Sequence, residues 1–125
     1  MDVSPLIPAG RKVVQGYGDG GFRISTERYE GSVLLFPEAV SLWNVSGLAE
    51  LLPEHFAPLA AFEPKLEIVL LGTGLKMVLP PAEIRRHFKA LGIALEVMDT
   101  GAACRTYNVL LAEERRVAAA LLAVS

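Results

Sequence analysis

Hydrophobic and polar positions are arranged most regularly in the middle of the chain. Residues 68–71 are a short apolar run that follows charged residues and precedes Gly72, a pattern typical of a strand buried on both faces. Apolar residues then recur at helical spacing over 82–91, and a second apolar run lies within 93–98. The order strand, helix, strand predicts a right-handed crossover that joins two parallel strands at 66–71 and 93–98.

The predicted helix at 82–91 has clear end signals. A proline pair precedes it, as is common at helix starts, and Gly92 is suited to cap its C-terminus. Its polar face carries three basic side chains, Arg85, Arg86 and Lys89. We interpret this basic face as a solvated surface.

The first third of the chain alternates apolar and polar residues over short distances, which is typical of antiparallel strands. The pattern predicts strands near 13–14, 22–25, 32–36 and 39–43, with turns at 16–21 and 28–31. These strands would form a small antiparallel β-meander. A short helix is predicted to begin at Pro53, because proline suits the first turn of a helix.

The C-terminal part of the chain is ambiguous. Residues 102–113 favour a helix by propensity, and residues 118–122 would extend that helix or form a strand of small residues. Periodicity leaves both alternatives open.

Length and composition narrow the class of protein. The chain has 125 residues, 52% of them hydrophobic, which predicts a single domain at 13–125, after a proline-containing segment at 1–12 that is predicted to be an extended lead-in. The net charge of -2 argues against a nucleic-acid partner. Neither a signal peptide nor an apolar run of the ~18 residues needed for a membrane span is evident. We therefore expect a cytoplasmic protein that does not span a membrane. The mean hydropathy of +0.39 favours a protein partner or a homo-oligomer.

Five segments occur in an order that resembles a widespread family of small domains. They are Phe22-Arg23-Ile24, Trp43, Leu70–Gly74, Leu79-Pro80-Pro81 and Thr100–Leu110. The family was long catalogued as a domain of unknown function. It includes a mitochondrial assembly factor of respiratory complex I and a vertebrate cytosolic protein associated with adipogenesis. The resemblance covers nearly the whole chain after residue 12.

The resemblance implies a three-layer α/β fold, with a mixed central β-sheet, flanking helices and an N-terminal antiparallel β-meander. It implies that residues 116–124 form a last strand, antiparallel to its neighbours, after a helix that ends near Glu113. Many relatives have a glycine just before this strand, where this chain has Glu114 or Arg115. The resemblance also implies a non-enzymatic binding or assembly module, whose partner would be a protein such as a subunit of a respiratory complex.

The loops that follow the two parallel strands form the candidate binding site, because ligands of α/β sheets bind at the carboxyl ends of strands. The second loop leads into a helix, whose first N–H groups favour negative charge. The candidate residues are Gly72, Thr73, Gly74, Lys76, Asp99, Thr100 and Arg105. We expect them to line a polar crevice that binds a partner segment or a small anion.

Plainer interpretations of the same residues remain open. Gly72 and Gly74 also suit a tight turn, since the dinucleotide fingerprint needs a third glycine where the chain has Met77. Asp99 or Thr100 is equally suited to cap the following helix.

No complete catalytic constellation is evident, so no catalytic residue, metal site or cofactor is predicted. Cys104 near a helix start would need a base to act as a nucleophile, and neither His55 nor His87 has a visible orienting partner. We interpret Cys104 as a packed small residue, and Trp43 and Tyr107 as core or interface anchors. The alternative function is an enzyme or metabolite-binding protein that uses the crevice.

Overall fold

The computed structural model describes residues 10–125, so that residues 1–9 of the predicted lead-in lie outside it. The described strands are β1 Val14–Gly18, β2 Gly21–Ile24, β3 Glu27–Glu30, β4 Val33–Phe36, β5 Ala39–Leu42, β6 Ile68–Gly72, β7 Ala94–Met98 and β8 Val117–Leu121. The described α-helices are α1 Ala57–Ala61, α2 Ala82–Leu91 and α3 Thr100–Ala112, and short 3₁₀ turns occupy Leu48–Glu50 and Pro53–Phe56.

The central sheet is mixed and has the strand order β5-β4-β8-β6-β7. β6 pairs in parallel with β7 and β8, whereas β4 pairs in antiparallel fashion with β5 and β8. A second, antiparallel sheet has the order β1-β2-β3. With helices on both sides of the central sheet, this arrangement is the three-layer α/β fold that the family resemblance implies.

The central sheet is buried on both faces because successive residues of a strand point to opposite sides. In β8, Ala118 and Ala120 join the apolar cluster that includes α1 and α2. Val117, Ala119 and Leu121 join the cluster that includes α3 and the three-stranded sheet. The small side chains of β8 therefore lie at the centre of the molecule, between two separate halves of the core.

The predicted crossover is confirmed: β6 and β7 are parallel neighbours and α2 connects them. Ile84 and Phe88 place the apolar face of α2 against the core. Gly92 ends the helix with a φ of 73°, a left-handed conformation that glycine adopts at little cost.

The C-terminal ambiguity is resolved in favour of a helix followed by a strand, α3 and then β8. The expectation that this last strand is antiparallel to its neighbours is wrong for one of them, since β8 is parallel to β6. The reason is that α3 carries the chain back along the sheet, so that β8 starts at the same end as β6. Glu114 makes the turn before β8 with a φ of 58°, at one of the two positions where the resemblance implies glycine.

The predicted turn at 28–31 is wrong, because Glu27–Glu30 form β3. The chain turns instead at Ser25 and Thr26, with φ angles of 45° and 74°, and the backbone N–H of Thr26 donates to Gln15 Oε1. The predicted meander is also divided, since β4 and β5 belong to the central sheet. All four residues of β4 are buried, which requires layers on both of its faces.

Among the helices of residues 10–125, none has both the length and the apolar character needed to cross a membrane.

Candidate functional site

The loop that follows β6 is held in one shape by Thr73. Its hydroxyl donates to the carbonyl of Lys76 and accepts the N–H of Val78 at 3.1 Å. The backbone N–H of Thr73 donates to the carbonyl of Met98, at the end of β7, at 2.9 Å. The side chain that sequence reasoning assigned to a ligand therefore organises the loop.

Thr100 connects the same loop to the core by hydrogen bonds. Its fully buried hydroxyl donates to the carbonyl of Leu122 at 2.8 Å and accepts the N–H of Gly74 at 2.9 Å. Its backbone N–H donates to the carbonyl of Gly74 at 2.9 Å. Three segments that are distant in sequence meet at this one side chain. Its only hydroxyl hydrogen is already donated within the chain, and its buried position keeps it away from a ligand.

Asp99 caps α3, as the plainer interpretation of this residue proposed. Its Oδ1 accepts the N–H of Ala102 at 2.8 Å, and its backbone carbonyl accepts the N–H of Ala103 at 2.9 Å. The free N–H groups expected at this helix start are thus largely satisfied within the chain. The Asp99 carboxylate also places a negative charge where an anion would bind.

Gly72 is required by the close approach of β6 to α3. A Cβ atom at this position would lie 3.0 Å from the Cα of Thr100 and 3.0 Å from a methyl group of Leu121. The glycine is explained by packing, with no need for an anion cradle.

The seven predicted site residues fall into two groups. Five support the loop and the helix start: Gly72, Thr73, Gly74, Asp99 and Thr100. The other two, Lys76 and Arg105, have exposed side chains. Arg105 lines a small groove of about 140 Å³ between β1 and α3, whereas Thr73 lines a different groove beside the 3₁₀ turn at Leu48–Glu50.

Sequence reasoning missed the apolar surface of the loop. Four large side chains are exposed to solvent there, Leu75 by 79%, Met77 by 53%, Val78 by 50% and Leu79 by 57%. The adjacent groove of about 450 Å³ is lined by residues that include Leu48 and Val78. A concentrated exposed apolar patch is characteristic of an interaction site. Its signal in the sequence is an apolar run between a glycine turn and a proline pair.

Cys104 and His55 both serve the folded structure. Cys104 is buried and burial raises the pKa of its thiol to about 12. His55 uses Nδ1 to accept the N–H of Leu52 at 2.9 Å. Within residues 10–125, no three side chains of the metal-ligating types converge.

We predict that Cys104 in the folded protein is inert to a thiol reagent at pH 8. A pKa raised from 9.0 to about 12 leaves roughly a thousandfold less thiolate than in the unfolded chain. Above pH 9 only the unfolded state ionises readily, so this thiol also makes folding less favourable as the pH rises towards 12. Colour development with a disulfide reagent, with and without guanidinium, measures the difference, and equal rates would contradict it.

The chain is similar to proteins of one family. Residues 14–122 match the family described as protein of unknown function (DUF498/DUF598). NADH dehydrogenase [ubiquinone] 1 alpha subcomplex assembly factor 3 of Danio rerio is 36% identical over 110 residues, which are 88% of this chain and 63% of that protein. This chain therefore spans about three fifths of the length of that relative. An uncharacterised protein of Rhodobacter capsulatus is 39% identical over 91% of this chain and 86% of its own length.

Solved structures agree with the fold. The crystal structure of a Bartonella henselae protein, described as an outer membrane protein, superimposes with a TM-score of 0.86 at 36% identity and covers 96% of this chain and 100% of its own. The family match and these identities confirm the resemblance inferred from the sequence motifs. The chain belongs to the protein family of unknown function DUF498/DUF598.

Proposed function

We propose that this protein is a non-enzymatic binding module that acts as an assembly factor for respiratory complex I. Its similarity to relatives named as complex I assembly factors supports this role. In this proposal the partner is a subunit of the complex, and the loop surface, Leu75–Leu79, is the part of the module that contacts it.

The exposed loop surface carries the proposal. Its apolar side chains have no cover among the described residues, and Thr73 and Thr100 fix the backbone that presents them. A surface that is already ordered loses little conformational entropy on binding, which favours affinity for a protein partner. Lys76 and Arg105 would supply polar contacts at this end of the molecule.

The test is co-purification from the native host. A tagged copy of the protein should recover complex I subunits, identified by mass spectrometry. The double variant Leu75→Ser/Met77→Ser should recover at least tenfold less, because loss of even two apolar contacts costs several-fold in affinity each. Membranes from a strain with this variant should show reduced NADH-dependent ubiquinone reduction.

Leu42→Ser is the matched control, since Leu42 is also exposed, by 66%, but lies on β5. Both variants should melt at the wild-type temperature because the replaced side chains are largely in solvent. Equal recovery of complex I subunits by all three proteins would exclude the loop surface. Failure of the wild-type protein to recover any such subunit would exclude the proposed function.

Arg105→Ala should weaken partner binding and leave the melting temperature unchanged. The side chain is exposed and makes no hydrogen bond or ion pair with residues 10–125, so folding does not depend on it. Arg23→Ala, an exposed arginine on β2, is the control. A drop in melting temperature with unchanged recovery of partner would show that Arg105 is structural instead.

A cytoplasmic location and self-association belong to the same proposal. If a second copy covers the loop surface, light scattering should give a dimer mass that the variant Leu75→Ser/Met77→Ser reduces to a monomer mass. Cell fractionation tests the location.

A further inference from the structure

Strand β7 is an open edge of the central sheet, paired on one side only, with β6. The N–H of Ala94 donates to the carbonyl of Glu67, and the carbonyl of Met98 accepts the N–H of Thr73. Because backbone groups alternate along a strand, those of residues 94, 96 and 98 point towards β6. The backbone N–H and C=O groups of Leu95 and Val97 therefore point away from β6. These four groups have no hydrogen-bond partner within residues 10–125.

This edge lacks the protection that edge strands usually carry. The outer strand of the small sheet, β3, has three charged and exposed residues among four, Glu27, Arg28 and Glu30. Such charges discourage the addition of another strand. In contrast, β7 has one charged residue among five, Glu96.

A groove of about 320 Å³ runs between β7 and α2. Phe88, Ile93 and Leu95 contribute its apolar lining, and Arg85 and Lys89 are the charged residues that line it. Neither cation forms an ion pair with residues 10–125. The groove therefore combines an apolar floor with uncompensated positive charge, next to free backbone hydrogen-bonding groups.

The spacing of the two cations matches an extended chain. Arg85 and Lys89 are four residues apart on one side of a helix, which places them about 6 Å apart along its axis. On a strand, residues i and i+2 point to the same side and lie about 6.8 Å apart. Because α2 runs along the sheet as part of the crossover, two acidic side chains at alternate positions of an added strand would each meet one cation.

We propose that β7 binds an extended acidic segment of a partner protein, which adds to the central sheet as a sixth strand. The segment carries a Glu-x-Glu sequence, whose carboxylates contact Arg85 and Lys89. The methylene groups of the glutamates cover the half-buried side chain of Leu95. The backbone of the segment pairs with the free groups of Leu95 and Val97. This surface goes beyond the loop surface and is independent of the identity of the complex that the protein helps to assemble.

The test uses the full chain and a positional library of synthetic ten-residue peptides free of proline. Selected peptides should contain glutamate or aspartate at alternate positions. The double variant Arg85→Glu/Lys89→Glu should bind them at least tenfold more weakly. Arg86→Glu, which reverses an exposed charge on the same helix but outside the groove, should bind within twofold of the wild type.

Amide hydrogen exchange separates strand addition from simple charge attraction. In the free protein the N–H groups of Leu95 and Val97 should exchange fast, and that of Glu96 slowly. A selected peptide should slow the hydrogen exchange of the Leu95 and Val97 amides at least tenfold. The proposal would be overturned if bound peptides left the exchange of both amides fast, or if the library selected no peptide with an acidic pair. Neither result depends on co-purification with complex I subunits, so failure of the proposed function remains distinguishable.

Discussion

Replacing Thr100 by valine should lower the free energy of unfolding by about 1–3 kcal/mol, because one buried and one part-buried backbone group lose their hydrogen-bond partner. Valine has nearly the shape of threonine, so the packing around this fully buried position is retained. The carbonyl of Leu122 and the N–H of Gly74 now share the hydroxyl. In the valine variant both groups lose this partner, and the Leu122 carbonyl is left unpaired in the core. Urea denaturation followed by circular dichroism measures the loss.

Thr100→Ser is the matched control. Serine keeps the hydroxyl and removes one methyl group, which costs about 1 kcal/mol. The valine variant should also release the loop after Gly74, and limited proteolysis should then cut within residues 75–79 faster than in the serine variant. If valine and serine variants are equally stable, the hydroxyl does not hold the loop.

The elements that the sequence predicts correctly are those in which apolar residues recur at regular spacing. Residues 68–71 and α2 have burial patterns that follow from apolar spacing alone, and the parallel pairing follows from their order. The turn at Ser25 and Thr26 carried no such signal. Neither residue is a glycine, and the left-handed conformation of Thr26 is supported by a hydrogen bond to Gln15, eleven residues earlier in the chain.

The sequence predicts which loops meet at the candidate site, but it does not show what the polar side chains there do. Topology correctly brings the loops after β6 and β7 together, as the bonds from Thr73 to Met98 and from Thr100 to Gly74 show. The sequence cannot show that both hydroxyl groups are already used inside the chain. The same polar residues that suggest a ligand site also serve to order a loop, and hydrogen-bond partners decide between the two.

The choice between a core and an interface role for Trp43 and Tyr107 is decided by burial. Tyr107 is fully buried and Trp43 is 6% exposed. The indole Nε1–H of Trp43 donates to the carbonyl of His55 at 2.9 Å, which joins the segment after β5 to the 3₁₀ turn. Both aromatic residues are therefore parts of the core in the folded chain.

Replacing Phe56 by alanine should cost about 3–5 kcal/mol of stability, because a large aromatic side chain leaves a cavity that rigid neighbours cannot fill. Phe56 is fully buried and contacts two aromatic rings edge to face, with ring centres 5.4 Å away in Trp43 and 5.2 Å away in Phe88. It lies at the junction of the 3₁₀ turn, α2 and the central sheet. Removal of this ring therefore loosens the contact of α2 with the rest of the core.

Because the chain has a single tryptophan, Trp43, its fluorescence reports directly on the effect of this variant. Loss of the edge-to-face contact with Phe56 should change the fluorescence of Trp43 in the folded protein, and guanidinium titration gives the change in stability. Phe56→Leu is the control, since it keeps much of the volume and should cost under about 1.5 kcal/mol. Because α2 carries Arg85 and Lys89, the alanine variant should also weaken any binding at the β7 edge, while the leucine variant should not. Equal denaturation midpoints for the two variants would mean that the site collapses around the smaller side chain, contrary to the rigid aromatic packing described for Phe56.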